Sequence, residues 1–115
     1  MFMISTLKAL VLMSLTSFLF VPVAFSADLQ SHVITMKSIS FDPKAIVIKK
    51  GESVEWVNKS YTEHSATADD GSSFDTALIA PQKKSKAVQL NKTGTYPYHC
   101  SVHGKTMHAQ IVVEE

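Results

Sequence analysis

After its first quarter the chain is a series of short apolar runs broken by turn residues, and no run sustains the 3.6-residue period of an amphipathic helix. Val33 to Phe41 alternates loosely and predicts a strand that turns Val33, Met36, Ile39 and Phe41 toward a core. Asp42-Pro43 marks a turn. Ala45-Ile46-Val47-Ile48 is short and β-branched, and Lys50-Gly51-Glu52 turns it into Ser53-Val54-Glu55-Trp56-Val57. In that strand Val54, Trp56 and Asn58 share one face while Ser53, Glu55 and Val57 share the other, because strand side chains alternate. Asn58 to Glu63 reads as polar loop, followed by His64-Ser65-Ala66-Thr67 and the surface turn Asp69-Asp70-Gly71-Ser72-Ser73. Phe74 to Pro81 has no legible period and fits a short helical turn or an irregular connection. Lys83 to Leu90 predicts a strand with Lys84 and Lys86 facing water and Ser85, Ala87 and Gln89 opposite. Asn91-Lys92-Thr93-Gly94 turns into Thr95 to Cys100, and Met107 to Val113 closes the chain. Several short strands at close spacing predict an all-β sandwich or barrel. Pro97 cannot donate to a ladder, so it belongs where its missing N–H faces outward or at a bulge.

The first quarter has a different character. Met1 to Lys8 carries one positive charge, Ala9 to Phe20 is apolar, and Val21-Pro22-Val23-Ala24-Phe25-Ser26 ends in small residues at the spacing a signal peptidase reads. Residues 1–26 are therefore expected to be a cleaved export signal. The apolar run is short for a span of ~20 residues, which argues against an uncleaved membrane anchor, and no stable membrane insertion is expected once the signal is removed. Residues 27–115 form one small domain with a modest core, expected in the periplasm as a monomer. Small exported domains often lean on disulfides, but Cys100 is the single cysteine, so no internal bridge can form. A bound metal would occupy that thiol and add folding energy. The domain has ten Lys against ten acidic residues and no Arg. This balance leaves neither a nucleic-acid footprint nor a polybasic membrane patch.

The chemistry is concentrated in Tyr96-Pro97-Tyr98-His99-Cys100-Ser101-Val102-His103-Gly104-Lys105-Thr106-Met107, which places a thiolate, an imidazole and a thioether within eight residues. His64, far upstream and beyond the Trp56 strand, adds a second imidazole. Taken singly, a lone Cys is most often a small buried hydrophobe and a Met beside a terminal strand is usually core. Together, His64, Cys100, His103 and Met107 are the donor set of a copper centre with a His₂Cys plane and a weak axial Met. Soft sulfur suits Cu(I) and imidazole suits Cu(II), so one site can hold both oxidation states. His108 competes with Met107 for the axial position, and a long thioether contact favours Met107. Val102 is expected to supply a backbone N–H near the Cys100 sulfur, where a proline would supply none.

These residues and their frame resemble the cupredoxins, and within them the small plastocyanin and amicyanin group, over nearly all of residues 27–115. The resemblance rests on Phe41-x-Pro43, Gly51-Glu52-Ser53-Val54-Glu55-Trp56-Val57-Asn58, His64, Gly94-Thr95-Tyr96-x-Tyr98-His99-Cys100 and a Val-rich last strand. The Tyr-x-Tyr-His-Cys run and the ending Met107-His108-Ala109-Gln110-Ile111-Val112-Val113-Glu114 look most like amicyanins. It implies a Greek-key β-sandwich that shuttles single electrons between periplasmic redox proteins, with His64, Cys100 and His103 as equatorial ligands and Met107 axial. Expected partners are a c-type cytochrome or a periplasmic dehydrogenase or oxidase, docking at an exposed edge of His103. Three positions depart from the group. Three residues separate His103 from Met107 where amicyanins have two and plastocyanins four, Val102 stands where Pro is usual, and Ser65 stands where Asn is usual. The competing class is a periplasmic copper carrier or buffer, to which His32, His99 and His108 lend weight. An enzyme with Cys100 as nucleophile fits worst, since no oxyanion site is evident and Met107 would go unexplained.

Overall fold

The computed structural model describes residues 16–22 and 29–115, and among these the chain forms eight strands and no helix. The export-signal reading of residues 1–26 falls mostly on residues 1–15 and 23–28 and lies outside the described residues. The strands are β1 (Ser31–Met36), β2 (Phe41–Asp42), β3 (Ala45–Lys49), β4 (Ser53–Asn58), β5 (Thr67–Ala68), β6 (Val88–Gln89), β7 (Gly94–Cys100) and β8 (Gly104–Glu114). They make an all-β sandwich of two four-stranded sheets, ordered β2-β1-β4-β6 and β3-β8-β7-β5. Every connection from β2 to β7 crosses between the sheets. This is why β1 can pair in parallel with β4 and β3 in parallel with β8, while β7 and β8 form an antiparallel hairpin.

Alternation sets the core. Val54, Trp56 and Asn58 of β4 point inward as their spacing predicts, and β8 buries Met107, Ala109, Ile111 and Val113 while exposing His108 and Gln110. Phe41, Trp56, Phe74 and Tyr98 form an aromatic cluster whose contacting rings have centroids 4.7–5.8 Å apart. Offset and edge-on pairs of this kind add about 0.5–1.5 kcal/mol each beyond area burial. Burial also pushes the Tyr98 hydroxyl well above the usual phenol range, so it stays protonated.

The first run differs from its expected facing. Val33 and Ile39 are both 56% exposed, and Ile34 is the buried neighbour. The parallel register places Ile34 beside Trp56 and Met36 beside Asn58, so Val33 takes the outer face. Ile39 sits in the bend closed by the Lys37 N–H to the Ser40 carbonyl. The Lys83–Leu90 strand contracts to Val88–Gln89 plus a bridge from Lys84 to Val57. Of its expected inner trio only Ser85 is buried, where its hydroxyl accepts the Trp56 N–H. Phe74–Pro81 holds no helix; bridges from Asp75 to Thr67 and from Ile79 to His64 stitch it to the second sheet and the loop ahead of it. Pro97 lies opposite Gln110 of β8, at the end of the β5–β7 pairing. Its carbonyl accepts from Asp69 N just beyond the end of β5, and the reciprocal bond that a proline cannot donate falls where β5 stops.

Two outcomes follow for stability. Ile34→Ala should cost about 2–5 kcal/mol in urea unfolding, whereas Val33→Ala should stay near 0.5 kcal/mol, about what exposed substitutions cost. Acid should weaken the fold at low pH, because the Glu52 carboxylate, accepting from Lys49 N and Gln30 N, lies below its usual range. Asp70 is lowered to about 2 by the Ser73 hydroxyl and by the N–H groups of Ser73 and Ser72. Both carboxylates contribute stability above their unfolded pKa near 4 and lose it as pH falls through the folded values. Asp70→Ala should flatten the dependence between pH 4 and pH 2 in thermal melts.

Candidate metal centre

The site is built from two segments that arrive from different sheets. The first is the loop after β4, and Asn58 organises it from a fully buried position. Its amide nitrogen donates to the carbonyls of Thr62 (2.8 Å) and Ile79 (2.9 Å), and its oxygen accepts the N–H (2.9 Å) and hydroxyl (2.7 Å) of Ser60. Every polar group of the amide is thus occupied, which is what a buried Asn requires. His64 follows at once and is fixed by reciprocal backbone bonds with Ile79, His64 N–H to Ile79 O at 3.3 Å and Ile79 N–H to His64 O at 2.7 Å. Its ring is wholly enclosed.

The second segment is the end of the β7–β8 hairpin. Cys100 closes β7 with its sulfur buried, Ser101–His103 make the turn, and Gly104, at φ 57°, opens β8. That backbone conformation favours glycine over any residue bearing a Cβ. Met107 comes three residues later on the inward face, fully buried, and His108 points outward with Nδ1 2.7 Å from the Lys105 carbonyl.

Ser65 joins the two segments. Its N–H donates to Cys100 Sγ (3.4 Å), its hydroxyl oxygen accepts the Ser101 N–H (2.9 Å), and the hydroxyl also reaches Ser101 Oγ and Thr67 Oγ1, each at 2.9 Å. Thr67 passes the chain on to Asp75 at 3.2 Å. The N–H expected from Val102 is not among the bonds to the sulfur in the described residues; Ser65 supplies it, because Val102 lies in the exposed turn.

His64, Cys100 and His103 converge so that one donor atom from each lies within 4.8 Å of the others. Both imidazoles turn Nδ1 to the sulfur, at 3.6 Å in each case. A metal about 2.0–2.1 Å from nitrogen and about 2.3 Å from thiolate, with donors 110–120° apart, would separate N from S by roughly 3.6–3.8 Å. The spacing therefore fits a single ion between three donors. His64 Nε2 faces the Thr62 hydroxyl at 3.4 Å, an arrangement that leaves the Nδ1 lone pair free. Burial, and then the neighbouring His103, hold the His64 imidazole below its ordinary pKa, with a backbone hydrogen bond to Lys37 opposing them. The ring is thereby kept in the neutral form a metal needs. His103 is half-buried between exposed Val102 and Gly104, its ring centroid 5.0 Å from that of His64.

A family model described as a cupredoxin-like domain matches residues 9–113, nearly the whole chain. The chain belongs to the cupredoxins. A plastocyanin from Scenedesmus fuscus is 31% identical over 88 residues, covering 67% of this cupredoxin and 89% of the relative. Amicyanin from Paracoccus denitrificans is 32% identical over 85 residues, covering 71% of this chain, which spans 64% of that relative's length. Among solved structures, the Cu-containing nitrite reductase of Thermus scotoductus SA-01 superposes with a TM-score of 0.67 at 28% identity, over 75% of this chain and 23% of the enzyme. Copper is the cofactor of this cupredoxin.

Sequence reading proposed His64, Cys100 and His103 as ligands, and the structure brings one donor atom of each within 4.8 Å of the others; that reading gave Asn58 no role beyond a shared strand face and treated Ser65 only as a departure. The available signal was a polar side chain on the core face of β4 (Asn58 lies two residues from Trp56), since a buried amide must find partners. Asn58→Ala should destabilise the metal-free protein by about 1–3 kcal/mol, because it removes four hydrogen bonds and leaves the buried Ser60 N–H without its acceptor. Ser65→Ala should cost about 1–2 kcal/mol while keeping the N–H to sulfur. Urea titrations of the metal-free forms measure both, and an Asn58→Ala loss near zero would remove Asn58 from its organising role.

Proposed function

We propose that the protein is a one-electron carrier with a mononuclear type 1 copper centre. In this reading His64, Cys100 and His103 are the equatorial ligands and Met107 the axial one. Residues 1–26 direct export, residues 27–115 are the copper domain in the periplasm, and the monomer exchanges electrons with other redox proteins at the His103 edge without being an enzyme. The observation that carries the reading is the pair of 3.6 Å approaches of imidazole Nδ1 to one buried sulfur, in a chain whose family binds copper. Bound copper supplies one-electron chemistry by alternating between Cu(I) and Cu(II).

The residues of the chain determine how cheaply that alternation happens. His64 and Cys100 are enclosed by core, so water is kept from two of the donors. The donors sit on a hydrogen-bonded frame, so neither oxidation state has to rebuild the site. The Ser65 N–H withdraws density from the thiolate and favours the reduced form. Support for Met107 over His108 comes from strand alternation: Met107 faces the core with Ala109 and Ile111, while His108 is turned to solvent and tied to Lys105. Support for His103 as the port comes from its partial exposure beside Val102, a small apolar rim suited to weak encounters that bury less than ~1,200 Å².

Optical and EPR spectra of the copper-loaded domain test the proposal. An intense visible band should be present in the wild type and absent in Cys100→Ser, since the thiolate is the donor of the charge-transfer transition. Met107→Gln should perturb the spectrum and lower the potential. A spectrum unmoved in Met107→Gln but altered in His108→Ala would transfer the axial role to His108. Colour without a reversible potential or rapid self-exchange would point instead to a copper carrier or buffer.

A further inference from the structure

The outer face of the β7–β8 hairpin carries a second pair of imidazoles that the buried centre does not use. His99 and His108 are direct cross-strand partners in the antiparallel register. Such partners have Cβ atoms about 4.5–5.5 Å apart on one face of the sheet. Each neighbours a residue of the buried site, Cys100 and Met107 respectively, and each points away from it because side chains alternate. Both line a cavity of about 190 Å³ together with Asp69, Pro97, Lys105 and Ala109.

The hydrogen bonds of the two rings have the same form. His99 Nδ1 meets Asp69 Oδ1 at 2.5 Å, and His108 Nδ1 meets the Lys105 carbonyl at 2.7 Å. An oxygen acceptor faces each Nδ1, so Nε2 is the ring nitrogen left for a metal to take. Metal-binding histidines are oriented in this way, with the second ring nitrogen donating to a carboxylate or a backbone carbonyl. The Lys105 ammonium borders the same cavity and opposes a cation, while the Asp69 carboxylate offsets it through His99.

We propose that His99 and His108 form a second, surface metal site that takes an imidazole-preferring dication, Cu(II) foremost, through their Nε2 atoms, with Asp69 as the positioning residue behind His99. Two nitrogens and solvent oxygens suit the tetragonal preference of Cu(II), which also binds such sites more tightly than its first-row neighbours do. The site requires neither Cys100 nor Met107, so it stands or falls separately from the electron-carrier reading.

The test is a titration of Cu(II) into copper-loaded protein near neutral pH, followed by calorimetry and EPR. One further equivalent should bind and give a tetragonal Cu(II) signal with nitrogen coupling, added to the signal of the first ion. His99→Gln and His108→Gln should each weaken this second equivalent by about tenfold or more, and Asp69→Asn by about tenfold. His32→Gln, on the other sheet, should leave it unchanged. Absence of a second equivalent, or a second equivalent indifferent to both His99→Gln and His108→Gln, would overturn the proposal. A second equivalent that depends on these two residues in a colourless protein would uphold this site while refuting the type 1 reading.

Discussion

The whole site hangs on a junction between two segments, made just where their β5–β7 pairing at Thr67 and His99 ends. The His64 loop leaves one sheet and the Cys100 turn ends the other, and the Ser65 backbone and hydroxyl bond them together at 2.9–3.4 Å. Without that junction only the short β5–β7 pairing, Thr67 with His99 and Ala68 with Tyr98, would hold the two segments together, and the approach of both imidazoles to one sulfur would be less tightly fixed. With it, the ligand loops inherit the rigidity of the sandwich. The N–H of this residue also donates to the Cys100 sulfur, so the group that aligns the loops touches the candidate donor as well.

Asn58 does for the first segment what the β7–β8 hairpin does for the second. A buried amide with four partners converts a polar loop into a fixed platform for His64, and a buried amide is tolerable only because all its groups are paired. On the hairpin, regular alternation is sufficient. It turns Cys100 and Met107 to the inside and His99 and His108 to the outside, so two short strands present sulfur to the core and imidazole to solvent. The irregular register between His99 and Cys100 falls where the ladder gives way to the ligand turn.

Much of this was legible from residue order, for identifiable reasons. The facing of β4 could be read because the strand covers a core on one side only and so alternates cleanly. The donor set could be read because chemistry restricts which residue types can share a soft metal. The all-β architecture followed from run lengths and turn residues. Val33 against Ile34 could not be read, since both are β-branched apolar residues and only the parallel register with β4 chooses between them. The near-complete loss of the Lys83–Leu90 strand was equally hidden, because its pairing depends on how far β4 extends past it.

The sequence by itself determined the kind of candidate site: one cysteine sulfur, two imidazoles and a neighbouring thioether, placed at the ends of strands in a small near-neutral domain. Those are properties of residue type and spacing, which survive any folding of the chain. Tertiary structure alone decided that Ser65 rather than Val102 delivers an N–H to the sulfur, that His108 faces outward beside His99, and that Asn58 holds the loop ahead of His64. Each of these joins residues that are distant in the chain or assigns a direction to a side chain. A one-dimensional pattern carries composition and period, whereas partners and directions exist only once two sheets have closed on each other.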